Sequence, residues 1–166
     1  MIGVIRHYLG SRFGAVLDMV ADRSTTAGLT CYLAHIYPRF MLLWQVLIGL
    51  DLSSHYMHMY ASLATGSSSH KIIDKRQNFL LRAYYSYQSV LFMVCAGNEL
   101  FYLAAYMMAN SKGPLIAEVF GRKCYAWETL LVISAPVWAF KQFMNVVQMV
   151  GAAKRLATVE QKSHVK

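Results

Sequence analysis

The chain has 166 residues, 57% of them hydrophobic and only 14% charged, with a formal net charge of +8. A soluble domain carries about 25% charge, so this balance, with a mean hydropathy of +0.35, excludes an ordinary soluble domain and points to one membrane domain over residues 1–166. The cations cluster between apolar runs and form no basic face, which fits anionic lipid headgroups and argues against nucleic acid as a partner. The opening MIGVIRHYLG is too short and too broken for a signal peptide.

A bilayer-crossing helix needs about 20 mainly apolar residues, and four segments approach that. The first runs from near Phe13 to Tyr37; Pro38 ends it and opens the second, which reaches about Leu63. ATGSSSHKIIDKRQN then reads as a polar loop around Gly66. The third runs from about Tyr85 to Ala109 and is closed by NSKGP, whose Gly and Pro break helices. The fourth runs from about Tyr125 to Val150, and a polar tail follows. Spans of this length without alternation argue against a β-barrel. The expected class is all-α, a polytopic transmembrane helical bundle of about four spans. Cys31, Cys95 and Cys124 show neither zinc spacing nor a disulfide framework.

Lys and Arg set orientation. Eleven of them fall on the side holding the termini and the Gly66 loop, four (Arg39, Lys112, Arg122, Lys123) on the other, and Lys141 lies inside the fourth span. The richer side is expected to be cytosolic.

GAVLDMVADR places Asp18 and Asp22 one turn apart on one helical face, with Cβ atoms about 5–6 Å apart. Like charges at that spacing repel, and acids inside a membrane usually mark a function. One reading is structural: Arg12 and Arg23 neutralise the pair, and the helix N-terminus favours acids. The other is a divalent metal, Mg²⁺ or Mn²⁺, held by carboxylates and a substrate phosphate. Gly14, one turn before Asp18, lets a bulky phosphate approach the backbone.

This stretch resembles the second half of the CDP-alcohol phosphatidyltransferase signature, D-x2-D-G-x2-A-R-x8-G-x3-D-x3-D, with Gly14, Asp18 and Asp22 on its last three fixed positions. SRFGAVLDMVADR, GSSSHKIID and CAGNELFY resemble the eukaryotic members that take inositol as the alcohol. The resemblance implies a multi-pass enzyme of the endoplasmic reticulum membrane, surrounded by membrane lipids, homodimeric, with its site facing the cytosol. It implies that a hydroxyl of myo-inositol attacks the phosphate bonded to diacylglycerol in CDP-diacylglycerol, releasing CMP, with Mg²⁺ or Mn²⁺ clamping the pyrophosphate. By the same resemblance Asp18 is a metal ligand, Asp22 borders the metal and serves as general base, and Ser11 and Gly14 contact CDP-diacylglycerol. Ser11 also reads as a plain N-cap.

The first half of the signature has no counterpart. Counting back from Gly14, its Arg falls on Ile5, its Ala on Val4 and its Gly on Met1. The chain therefore reads as N-terminally truncated, without two of the four metal carboxylates and two of the family's roughly six spans, and is expected to be impaired in catalysis by itself. Two other classes stay open: a non-catalytic form that binds lipid or dimerises with the full-length enzyme, and an ion-coupled transporter. The latter usually shows repeated halves or broken helices, and neither is visible here.

Asp51, His55 and His58 share one face of the second span. They read as interhelical hydrogen bonds or a polar pocket for a polyol, with a metal site as the other option. Asp51, His55, Ser69, His70 and Lys71 are the alcohol-side candidates, the last three from the Gly66 loop. Ser11, Asp18, Asp22 and that loop are expected to line a cytosolic mouth. Glu99 and Lys141, at similar depth in antiparallel spans, are expected to approach each other.

Overall fold

A computed structural model of the chain describes residues 12–64, 88–119 and 122–164. Four long helices account for most of them: α1 (Arg12–Ile36), α2 (Met41–Ala64), α3 (Gln88–Asn110) and α4 (Ala126–His164). A single 3₁₀ turn, Pro38–Phe40, joins α1 to α2, and an antiparallel pair, β1 (Leu115–Val119) with β2 (Arg122–Tyr125), joins α3 to α4. The all-α class holds, with this small hairpin as an addition.

Pro38 lacks an amide hydrogen and cannot continue α1, so the chain bends by 117° between α1 and α2. The two helices fold back on each other: Arg23 and Asp51, each fourteen residues from Tyr37, meet across the interface. At the other connection Gly113 takes φ 74°, where a Cβ would also lie 2.6 Å from Trp127 Nε1, so the turn requires glycine.

The span expectation is refined in two ways. Among the described residues two helices, over Ser89–Asn110 and Ala126–Gln161, are long and apolar enough to cross a membrane. α1 and α2 meet that test only as a bent pair; the polar and charged residues inside each, Asp18, Asp22 and Arg23 among them, dilute its apolar run. α4 also continues past Val150 to His164, 39 residues in all. Its last part, AAKRLATVEQKSH, has no Pro or Gly, and Ala, Leu, Lys, Arg, Glu and Gln are good helix formers; charge marks a change of solvent there without stopping the helix.

The packing is that of a membrane bundle. Large apolar side chains such as Phe13, Leu42, Phe92, Met93, Val132 and Ile133 face outward, while the buried set is as polar as it is apolar. One apolar cluster (Leu33, Ala34, Trp44, Leu47, Tyr102 and Ala105) joins α1, α2 and α3, with Trp138 of α4 stacked on Phe101 at 4.5 Å. A second, Val94 with Met144, joins α3 and α4. Between these helices Gly97 allows close approach: a Cβ there would sit 2.6 Å from Val137 Cγ1.

Candidate active site

α1 buries Met19, Arg23, Thr26, Thr30 and Leu33, a 4-3-4-3 spacing that forms one seam along the helix. Asp18 and Asp22 each precede a seam residue by one and are exposed, whereas Gly14 is buried in the first described turns. Both carboxylates thus lie on the outer shoulder of α1, away from the packed face. Arg23 is not committed to them. Its guanidinium Nη1 donates to both oxygens of Asp51, at 2.9 Å each, inside the bundle. Arg23 still acts on Asp22 through its charge, but its hydrogen bonds go to Asp51: the adjacent residue on a helix points about 100° away, and that direction leads into α2.

Asp51 anchors a network that all four helices share. Asn145 Nδ2 of α4 donates to its Oδ1 at 3.3 Å and to Gln142 Oε1 at 3.3 Å. Gln142 Nε2 donates to Asn98 Oδ1 at 3.0 Å, Asn98 Nδ2 to Glu99 Oε1 at 3.2 Å, and Thr26 Oγ1 of α1 to the same oxygen at 3.1 Å. Groups buried in an apolar medium need such partners. Glu99 and Lys141 approach closely enough to interact through their charges, as expected, but their hydrogen bonds go elsewhere. Lys141 Nζ donates to Asn145 Oδ1, one turn along its own helix, while Glu99 is held by Thr26 and Asn98. A local acceptor one turn away serves the ammonium without a reach across the bundle.

The face expected from Asp51, His55 and His58 is present: His55 pairs with Asp51 itself, while His58 turns to α4. His55 Nδ1 lies 2.8 Å from the Asp51 carbonyl oxygen, so it donates there and carries the proton. His58 Nδ1 accepts from Arg155 Nη2 at 2.9 Å. Among the described residues no group of three His, Cys, Asp or Glu is arranged to hold a metal ion. For a divalent cation the structure offers the exposed Asp18–Asp22 pair, hard oxygen donors of the kind Mg²⁺ and Mn²⁺ take together with substrate phosphate; that donor set fits part of a shell. Asp51 is buried and engaged by Arg23 and Asn145, while His55 is half-buried beside it. Ser11, Ser69, His70, Lys71 and the expected loop side of the mouth lie outside the described residues.

Sequence reasoning passed over Thr26, Gln142, Asn145 and Gln148, all polar and buried or partly buried. A signal existed: Gln142, Asn145 and Gln148 recur at three-residue spacing in an apolar run beside Lys141, which marks a polar stripe on one helical face.

No family model and no solved structure matches the chain. Curated relatives do. A Candida albicans protein named CDP-diacylglycerol–inositol 3-phosphatidyltransferase is 46% identical over 157 residues, 95% of this chain and 64% of the relative. The Saccharomyces cerevisiae protein of that name is 47% identical over 153 residues, 92% of this chain and 65% of its own length. The human protein of that name is 39% identical over 157 residues, 95% of this chain and 71% of its own length. The chain thus spans a little under two thirds of the two yeast proteins.

Proposed function

The chain belongs to the CDP-diacylglycerol–inositol 3-phosphatidyltransferase family, and from that premise we propose that it carries part of a site making phosphatidylinositol from CDP-diacylglycerol and myo-inositol. The observation that carries this is identity spread along nearly the whole chain to relatives of that name. The exposed Asp18–Asp22 face, with Arg23 turned inward to Asp51, is compatible with it. The transporter reading finds no support in the relatives' names.

In this reading Asp18 and Asp22 hold Mg²⁺ or Mn²⁺, and when bound that ion neutralises charge on the substrate pyrophosphate. Asp22 takes the proton of the attacking inositol hydroxyl. The new oxygen–phosphorus bond forms at the phosphate that carries diacylglycerol, the bond to the CMP oxygen breaks, and CMP leaves with that electron pair. Gly14 and Ser11 are the candidates for contact with the nucleotide lipid, and Asp51, His55, Ser69, His70 and Lys71 those for contact with the alcohol. The site faces the cytosol from the endoplasmic reticulum membrane, and the protein is a homodimer among membrane lipids.

The test joins the chain behind a helix carrying D-x2-D-G-x2-A-R and follows labelled inositol into lipid in vesicles with CDP-diacylglycerol and Mn²⁺. Incorporation is expected, and Asp22→Asn is expected to lower it by about 10²-fold or more. Incorporation untouched by Asp22→Asn would remove that residue from the chemistry, and no incorporation with either Mn²⁺ or Mg²⁺ would reject the activity.

A further inference from the structure

Two side chains of α1 reach its neighbours within one turn of Asp22. Arg23 donates to Asp51 of α2, and Thr26 donates to Glu99 of α3. Each acceptor is itself steadied from α4, Asp51 by Asn145 directly, and Glu99 through Asn98, whose side-chain oxygen accepts from Gln142. Leu33 and Ala34 in the apolar cluster, and the Tyr37 hydroxyl donating to the Ala105 carbonyl, hold the far end of α1; over the stretch that carries the aspartates, Met19 is flexible and unbranched, the single hydroxyl hydrogen of Thr26 is shared between Glu99 and the Asp22 carbonyl, and that of Thr30 bonds back to α1 itself. One residue of rotation, about 100°, would exchange the exposed Asp18 and Asp22 for the buried Met19 and Arg23.

We propose that Asp51 and Glu99 are positioning residues for the Asp18–Asp22 pair: by holding Arg23 and Thr26 they fix the rotation of the first half of α1 and so the direction in which both carboxylates face. The consequence for metal binding rests on the function proposed above; the rotation does not. Conserving the charge and geometry of the two pins keeps the carboxylates together on the open side of the helix. Losing a pin lets the same helix, still folded, present a different face.

The test uses the 166-residue chain in micelles with Cys31, Cys95 and Cys124 changed to serine and one new cysteine, Met19→Cys or Asp22→Cys. A charged maleimide is expected to label Asp22→Cys about tenfold faster than Met19→Cys, since labelling follows accessibility. Thr26→Val with Glu99→Gln, which keeps side-chain shape, is expected to reduce that ratio about threefold or more at unchanged helicity, and so is Asp51→Asn; Asp51→Glu is expected to preserve it. In the chain with no added cysteine, Asp51→Asn is expected to weaken Mn²⁺ binding about tenfold, as loss of a supporting partner does at metal sites, and Asp51→Glu is expected to restore it. A labelling ratio unchanged in the Thr26→Val, Glu99→Gln chain overturns the proposal, and that chain decides if Asp51→Asn does not fold. A reduced ratio with unchanged Mn²⁺ binding upholds the rotation and counts against metal binding by Asp18 and Asp22, so the two ideas fail separately.

Discussion

Arg23 brings a full charge into the bundle at 9% exposure, and Asp51 meets it there with both oxygens. A buried pair of this kind is a poor source of net stability, because desolvation offsets the attraction, yet removing one partner strands the other. Asp51→Leu is therefore expected to lower stability by about 3–5 kcal/mol, and Arg23→Met in the same chain to recover most of the loss. Thermal unfolding in micelles, followed by helicity, checks both; a double variant as weak as the single would show that the pair is not the source of the effect. At this scale the sequence made the need for partners legible: a charge in an apolar run requires one. It did not make the partner legible. One reading set Arg12 and Arg23 against Asp18 and Asp22, and Lys141 was expected near Glu99; Arg23 does sit near Asp22 and Lys141 near Glu99, but their hydrogen bonds run the other way, Arg23 across to α2 and Lys141 along α4. Spacing along one helix gives directions around its axis, but which neighbour stands in each direction is decided by packing.

Among the elements, breaks were easier to read than ends. Pro38 announced the bend between α1 and α2, and Gly113–Pro114 the end of α3. The hairpin between α3 and α4 was missed because its strands span five and four residues, too short for an alternation pattern to stand out. The continuation of α4 was not legible from hydropathy, which marks where a span leaves the membrane and not where its helix stops. Gly97 went unremarked, yet it sets how closely α3 approaches α4. Gly97→Ala is expected to cost about 1–3 kcal/mol, as overpacking does in a filled core. Val137 is β-branched and stiff, so it cannot simply swing away. Adding Val137→Ala to Gly97→Ala should restore part of the melting temperature, and the absence of any such rescue would place the strain elsewhere.

For the molecule as a whole, composition and hydropathy were enough to give an all-α membrane bundle, and the aspartate spacing with its neighbouring motifs was enough to give the family. The layer of polar side chains that the four helices share was only partly visible, since it is assembled from single residues. That layer contains two formal cations, Arg23 and Lys141, and two formal anions, Asp51 and Glu99. A membrane potential does about 2.3 kcal/mol of work on one elementary charge per 100 mV, but the forces on these four cancel. With all four in their charged forms the layer carries no net charge, and shifting it along the membrane normal performs no net work against the field. In vesicles, a potassium diffusion potential of about 100 mV in either direction is expected to leave the labelling rate of Asp22→Cys unchanged, whereas Lys141→Met, which leaves one anion uncompensated, should make that rate depend on the sign of the voltage.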